Sequence, residues 1–417
     1  MSQAYIVDAV RTPRGIGKPG KGALAHLHPQ DLGATVLRAI VERNPINPAE
    51  IDDVIFGTAI QKWKQGSDIA RMSVLHAGLP QVVSGVTLDR FCGAGITSTA
   101  LGSASIMAGM EDCIIAGGVE MMSYHAEIAA IEAEKGLGGL GMQAGNEALQ
   151  ARHPQAQQGV CADAIAAIEG ITRADVDALA LESQRRADVA IREGRFARSL
   201  VPVLNPDGSV ALDHEEFPRP QTTAEALAAL KPSFAALADK VAGANGLTYR
   251  QLIQQKYPGL EFEAIHHGGN SSGVVDGAAA LLLASEGFVE RNGLRPRARI
   301  VAYANVGDCP TLMLNAPVPA ARKVLEKAGL TLDDIDLFEI NEAFAVVAEK
   351  FIRDLKLDRA KVNVNGGACA LGHPIGATGS MLIGTMVDEL ERRDAKRGLI
   401  TMCAAGGMAP AIIIERV

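Results

Sequence analysis

Two stretches of this chain, one towards each end, follow the same plan, and that repetition restricts the fold more than any single residue does. Glu50–Ile60 (EIDDVIFGTAI) and Asp333–Phe344 (DDIDLFEINEAF) each run from an acidic lead through a short apolar strand into a polar turn. Small residues then open an apolar-periodic helix, over Gly93–Gly109 in one case and Gly376–Glu391 in the other. A buried strand ending in glycines closes each unit, CIIAGGVE over Cys113–Glu120 and LITMCAAGG over Leu399–Gly407. Strand, helix and strand at this spacing predict βα units on a mostly parallel sheet, repeated by duplication. A pseudo-twofold relation would bring corresponding turns of the two halves face to face.

Composition agrees with layered α/β cores. The 417 residues exceed one ordinary core, so two or three domains are expected. Hydrophobic residues make up 48% but aromatics only 4%, so Ala, Val, Ile and Leu must build the interior. That favours helices packed on buried sheets. The opening MSQAYIVDAVRTP leads directly into a strand pattern, with no signal peptide. The net charge of −8 is well mixed and forms no basic stripe, which argues against nucleic acid or an anionic membrane as partner. The most apolar stretch, Gly277–Ala284, is too short to span a bilayer. Six cysteines without a CxxC pair fit a reduced, cytoplasmic enzyme rather than a disulfide or metal framework.

The chain divides into a first half over 1–122 completed by 266–290, an inserted lid over 123–265, and a second half over 291–417. The insertion holds a glycine- and methionine-rich loop, Gly136–Gly145, and a helix over Thr172–Glu193. Thr172 with Asp175 three residues on reads as an N-cap close to a capping box. Pro202, Pro206, Pro218, Pro220 and Pro232 follow in connectors, and the whole is expected to cover the active face.

Three glycine turns carry the chemistry. Cys92 sits in RFCGAGITST, His373 in GGACALGHPIGATG, and Cys403 in LITMCAAGGMAP. Two thiols and an imidazole suggest a nucleophile, a base and a second proton carrier, while glycines let backbone N–H groups approach an oxyanion. Buried cysteines are more often inert, but three such motifs in corresponding places make that reading weak. A zinc site on the same residues lacks a fourth ligand and close paired spacing.

IVDAVRTPRG, GGVEMMS, NEAFA, NVNGGACALGHPIGATG and CAAGGMAP occur in this order along the chain. Together they resemble the thiolase family over nearly the whole length. The resemblance implies a five-layered αβαβα sandwich of duplicated βαβαβαββ halves, in a homodimer or homotetramer. It also implies an acyltransferase that cleaves a 3-oxoacyl-CoA with free CoA to acetyl-CoA and a shortened acyl-CoA, or runs the reverse condensation. No cofactor is tightly bound in such a scheme; coenzyme A is a co-substrate.

By the same resemblance Cys92 attacks the 3-keto carbonyl and carries the acyl group, with His373 as its base. A helix N-terminus is expected to help form the thiolate. Cys403 gives a proton to the acetyl-CoA enolate. Asn341 holds a water that stabilises the first oxyanion with His373, and the N–H groups of Cys92 and Ala405 form the second. Asn341 could also cap a helix over Glu342–Leu355. Ser272 corresponds to a serine that meets pantetheine, and Arg219 to an arginine near the adenine and phosphates; the insertion shares in CoA binding. Cys113, Cys161, Cys309 and Cys369 are assigned to packing. His266 and His267 are adjacent on an extended segment, suit one metal site poorly, and stay unassigned.

The chain departs from the family pattern at several places. Asp89 and Ala94 replace the usual Asn and Ser around the nucleophile, and Ala405 stands where many members have glycine. Gln157-Gln158 replaces the bulky His-Met of short-chain biosynthetic members, and Val241–Glu263 is an insertion. These features favour a degradative 3-ketoacyl-CoA thiolase of fatty-acid (β-oxidation) or related acyl-CoA catabolism. The rivals are a biosynthetic acetoacetyl-CoA thiolase and a non-catalytic acyl-CoA or lipid-binding homologue. A 3-ketoacyl synthase is disfavoured because it would need a histidine at Cys403.

Overall fold

In the computed structural model, residues 3–137, 142, 144–242 and 246–417 are described. Parts of two features singled out above, 138–141 and 143 of the glycine loop and 243–245 of the insertion, lie outside the described residues.

The repeated plan produces two half-sheets. In the first, Asp53–Gly57 pairs in parallel with Val86–Leu88 and Cys113–Met121, and Val275–Ser285 joins Cys113–Met121 to Ala4–Arg11 in antiparallel fashion. In the second, Leu337–Ile340 pairs in parallel with Arg397–Thr401, then Met408–Arg416 and Ala298–Gly307 follow antiparallel. The halves meet where Tyr5 and Ile6 pair with Arg299 and Ala298. These nine strands therefore form one sheet path, and Gly15–Ile16, paired with Val275–Ser285 at its side, is the tenth strand of the sheet. The sheet is mixed, not mostly parallel. Only the helix-linked strands of each unit are parallel; Val275–Ser285 arrives after the insertion, and Met408–Arg416 returns by a tight turn, so both run the other way.

Side chains reveal the duplication more sharply than the strands do. Asp52 Oδ2 accepts the N–H groups of Asp112 (2.8 Å) and Cys113 (3.0 Å). Asp336 Oδ2 accepts those of Lys396 (2.8 Å) and Arg397 (2.9 Å). Each aspartate follows a short 3₁₀ turn, Pro48–Glu50 or Leu332–Asp334, and anchors the start of its parallel neighbour. The counterpart of Val86–Leu88 is reduced to a single bridge between Phe338 and Val362.

Strand alternation sorts the core into layers. Cys113, Ile115 and Val119 face an outer cluster with Leu32, Val36 and Val74 of the helices Pro29–Glu42 and Ile69–His76. Ile114 and Ala116 face the middle layer, which they share with Ile400, Ile412 and Ile414 of the second half. Ile413 and Leu399 point outward again, to the helices Pro317–Ala328 and Ala345–Leu355. The middle layer is filled by the helices Ala94–Met107 and Ile375–Arg392, giving five layers in the order αβαβα. The described part of the insertion has no separate core: Val160, Ile165 and Val176 pack into the outer cluster of the second half. Its helix Arg173–Arg192 starts with the expected Thr172–Asp175 capping box.

The two middle helices touch backbone to backbone, and glycine is what permits it. A Cβ at Gly379 would lie 2.3 Å from Ile96 N, and one at Gly95 would lie 2.7 Å from Ser380 N. Their N-termini consequently sit side by side. Cys92 precedes one of them and His373 the other.

Candidate active site

Cys92 lies in the one-turn 3₁₀ segment Phe91–Gly93 that feeds the helix Ala94–Met107. Phe91 adopts φ 49°, a left-handed conformation unusual for a bulky side chain, and its N–H donates to Asp89 Oδ1 at 2.6 Å. This strained entry holds the thiol at the helix start. The Cys403 turn closes on it from the second half: an added Cβ at Gly93 would meet Pro410 Cδ at 2.9 Å and Ala404 Cβ at 3.5 Å. The N–H groups of Cys92 and Ala405 lie close enough to the Cys92 sulfur to favour its thiolate.

That environment does not yield a resting thiolate. Burial pushes the Cys92 thiol up to about 12, with the Glu120 and Asp89 carboxylates adding to the rise, and the two N–H groups only partly offset it. Desolvation and two nearby negative charges therefore outweigh the help that the helix start gives this thiol. Cys403, 1% exposed, is likewise raised by burial and by the neighbouring Cys92. Both thiols rest protonated.

His373 is held by two hydrogen bonds and by the glycine that precedes it. Its N–H donates to Gly273 O at 2.9 Å, Gly372 precedes it at φ 93°, and Nδ1 lies 2.6 Å from Thr378 Oγ1. The Thr378 hydroxyl already donates to Pro374 O at 3.0 Å, so its oxygen receives the Nδ1 proton. Nε2 is left with a lone pair, buried and without a partner among the described residues. Burial lowers this imidazole to about 4, with Arg14 adding to the fall and Glu120 opposing it. The histidine is a neutral acceptor across the physiological range.

Asn341 does not cap a helix. The helix begins at Ala345, and Phe344 occupies the cap position. Asn341 is 1% exposed, and neither atom of its amide has a partner among the described residues. An amide left open in this way can hold a water or a substrate oxygen.

The two residues expected to meet CoA lie further out. Ser272 is half-buried and its N–H donates to Ala343 O at 3.0 Å. Arg219 is exposed; its guanidinium donates to the carbonyls of Glu216, Phe217 and Pro218 and sits 5.4 Å from the Phe217 ring. No described contact joins Arg219 to Cys92. Phe217 lies against Gly273, where a Cβ would fall 2.3 Å from its ring, and Gly273 O is the acceptor for His373. A chain of contacts thus runs from Arg219 past Ser272 to His373.

Of the cysteines assigned to packing, Cys113, Cys161 and Cys369 are buried. Cys309 is half-buried, accepts a hydrogen bond from Tyr257 Oη at 3.3 Å, and is lowered despite partial burial, chiefly by that bond. All six cysteines are free, and the described residues contain no group of three or more His, Cys, Asp or Glu placed to hold a metal.

Two buried carboxylates escaped sequence reasoning. Glu120, fully buried, accepts the N–H groups of Ala59 (2.8 Å) and Gly376 (3.0 Å) on Oε2. Gln65 Nε2 (3.0 Å) and His125 Nε2 (3.1 Å) meet Oε1. It ties the first half-sheet to the N-terminus of the helix behind His373. Glu342 accepts Ser183 Oγ (2.7 Å), Asn363 Nδ2 (2.9 Å) and Cys369 N (3.1 Å), and burial raises it. The only signal was a single acid in each of the motifs GGVEMMS and NEAFA.

Comparison with known proteins bears directly on this arrangement. Residues 4–246 match the thiolase N-terminal domain and residues 294–416 the thiolase C-terminal domain. The chain belongs to the thiolase family. The thiolase is 41% identical to the steroid 3-ketoacyl-CoA thiolase FadA6 of Mycobacterium tuberculosis, over all of this chain and 95% of that protein. It is 42% identical to the 3-oxoadipyl-CoA/3-oxo-5,6-dehydrosuberyl-CoA thiolase of Escherichia coli, over the full length of both. An acetyl-CoA acetyltransferase of Escherichia coli is 39% identical, also over both full lengths. The crystal structure of the Bacillus anthracis acetyl-CoA acetyltransferase superposes with a TM-score of 0.83 at 34% identity, covering 100% of this chain and 99% of that one. The thiolase is an acyltransferase that acts on acyl-CoA with CoA as substrate. No helix among the described residues is long and apolar enough to cross a membrane.

Proposed function

We propose that this thiolase is a degradative 3-ketoacyl-CoA thiolase working through an acyl thioester on Cys92. The observation that carries the proposal is the buried lone pair of His373 Nε2, in a centre where N–H groups of Cys92 and Ala405 converge on the Cys92 sulfur. The Cys92 proton passes to His373 Nε2 as sulfur adds to the 3-keto carbon. Because the thiol lies high and the imidazole low, transfer and attack proceed together rather than through a resting ion pair. A water on Asn341, with His373, receives the first oxyanion. The C2–C3 bond then breaks, Cys403 protonates C2 of the enolate, and acetyl-CoA leaves. The imidazolium returns its proton to the Cys403 thiolate. Free CoA, deprotonated in the same centre, adds to the acyl thioester; the N–H groups of Cys92 and Ala405 hold the second oxyanion, and Cys92 departs with a proton.

Arg219, within the lid of residues 123–265, and Ser272, in the segment that follows it, lie along the path CoA takes. The domain limits are 1–122 with 266–290, 123–265, and 291–417. The working form is a cytoplasmic homodimer or homotetramer, a setting that suits six free cysteines. Gln157-Gln158 opens the acyl pocket, so chains longer than four carbons are preferred over acetoacetyl-CoA.

Intact mass spectrometry after mixing with a 3-oxoacyl-CoA, without free CoA, should show one acyl group per chain, mapping to Cys92. Cys403→Ser should keep exchange of labelled CoA into acyl-CoA while losing carbon–carbon cleavage by about 10²–10⁴-fold, the weight of a positioned acid. Loss of both reactions in a folded Cys403→Ser variant overturns the division of labour. Acetoacetyl-CoA as best substrate in a graded length series overturns the pocket assignment.

A further inference from the structure

The adjacent histidines of AIHHGGN are each tied to a different aspartate, and only one of them is satisfied. His267 Nε2 lies 2.9 Å from Asp177 Oδ1, and its Nδ1 accepts Gly269 N at 3.0 Å. Both of its nitrogens are used. His266 Nδ1 lies 2.7 Å from Asp163 Oδ1, which also accepts the N–H groups of Ile265 (2.9 Å) and His266 (3.0 Å). A carboxylate that only accepts holds the proton on Nδ1 and leaves Nε2 with a lone pair. His266 is 0% exposed, and that Nε2 has no partner among the described residues. One of these three hydrogen bonds orients the ring, and the other two hold the backbone that carries it. An oriented, unsatisfied acceptor inside a protein is complementary to a donor that arrives later.

The surroundings indicate what arrives. The His266 ring stands edge-on to Phe344 at 5.7 Å, and Phe344 is edge-on to Phe234 at 5.8 Å. Phe234 in turn lies against Gly159, where a Cβ would fall 2.4 Å from its ring. Gly159 directly follows Gln157-Gln158, and Phe344 is three residues beyond Asn341. His266 O accepts Ser233 N at 2.8 Å, which fixes the segment against the lid residues before Phe234. The free nitrogen therefore belongs to an aromatic wall that links the acyl-pocket glutamines to the Asn341 turn.

We propose that His266, oriented by Asp163, is a substrate-binding residue whose Nε2 accepts a hydrogen bond from a buried donor of the acyl-CoA. Two parts of such a substrate carry that chemistry: an amide N–H of the pantetheine arm, and a hydroxyl on the acyl chain. A carboxylate, which also presents lone pairs, is not complementary. This assignment rests on the reading of the chain as a 3-oxoacyl-CoA thiolase. His266 takes no part in bond making; it positions the substrate.

The test uses the full-length enzyme and two readouts. In kinetics, His266→Leu removes the acceptor at similar volume, and His266→Gln can restore one. If pantetheine is the donor, His266→Leu should raise KM for CoA and for every 3-oxoacyl-CoA by about 5- to 30-fold, the weight of one hydrogen bond, with kcat nearly unchanged. His266→Gln should recover part of that loss. If an acyl hydroxyl is the donor, only the hydroxylated member of a length-matched substrate pair should suffer. The second readout is ¹⁵N NMR of histidine-labelled wild-type enzyme, with His266 assigned by its loss in His266→Gln. Nε2 should be unprotonated when free, then shift towards the hydrogen-bonded range with CoA alone or only with the hydroxylated acyl-CoA, according to the donor. The proposal is overturned if Nε2 does not respond to either ligand, or if folded His266→Leu stays within twofold of wild type for CoA and both substrates. The NMR arm stands even where the leucine variant does not fold. Absence of an acyl group on Cys92 in wild type overturns the thiolase mechanism separately, since the Nε2 response to CoA does not depend on chemistry.

Discussion

Cys92 is proposed to begin the reaction, yet burial and charge around its sulfur both oppose ionisation. Asp89 is one of the causes, and it stands where the family usually has asparagine. Asp89→Asn should therefore lower the thiol and speed its alkylation by iodoacetamide several-fold at pH 8, measured by peptide mass spectrometry. An unchanged rate means that the carboxylate does not act on the sulfur. Iodoacetamide labelling of wild-type Cys92 should keep rising with pH through pH 9, without a plateau near neutrality. His373 makes the complementary prediction for stability. Its folded value near 4 lies below the unfolded value of 6.5, so between those limits the unfolded chain binds more protons. The stability linked to this group is fully present above pH 6.5 and is lost as pH falls to about 4. A wild-type protein should consequently lose about 3 kcal/mol relative to His373→Asn across that window, read from denaturant midpoints at each pH. A pH-independent difference contradicts the buried neutral imidazole. The glycine turns bearing Cys92, His373 and Cys403 were legible in the sequence because glycine spacing is local. The protonation of those groups was not, because it depends on burial and on Glu120, which come from distant parts of the chain.

Helix Ile375–Arg392 is aimed by contacts at its first turn. Glu120 receives Gly376 N there, and Gly379 lets the helix lie on its partner Ala94–Met107. Glu120→Gln keeps the shape but has one acceptor oxygen where four donors converge. The expected loss is about 2–4 kcal/mol, with a matching fall in Tm. Removing the negative charge should also speed Cys92 alkylation while thiolysis falls, because His373 leads directly into the displaced helix. A variant that is less stable but turns over normally would leave Glu120 a purely structural residue. Sequence periodicity located both middle helices correctly, since small apolar residues at helical spacing are a local signal. It also offered Asn341 as a possible cap, because asparagine before a helix is a good cap in isolation. Here the helix starts only at Ala345, and Phe344, in extended conformation, takes the cap position instead. The lone acids of GGVEMMS and NEAFA were visible, but nothing local distinguishes a buried anchor from an ordinary polar residue.

Across the whole molecule, the duplication makes a symmetrical prediction. Asp52→Ala and Asp336→Ala each remove an acceptor from two backbone N–H groups at a strand start. Each should cost about 1–3 kcal/mol, and the double variant should show their sum to within about 0.5 kcal/mol, as sites in opposite halves do. Strong non-additivity in chemical denaturation would contradict independent anchoring. The repeated strand–helix–strand plan was legible from its acidic leads, but the strand directions were not, because sheet partners come from far along the chain. Val275–Ser285 is the clearest instance: it sits between Ala4–Arg11 and Cys113–Met121 and is hydrogen-bonded to both. On the ribosome, that central strand emerges only after the whole insertion has been made. At roughly 5–20 residues per second, the two outer strands wait on the order of ten to fifty seconds with their pairing edges open. The first half of this enzyme cannot close while it is being synthesised in order, so newly made chains need shelter from other nascent strands until well past the midpoint of translation.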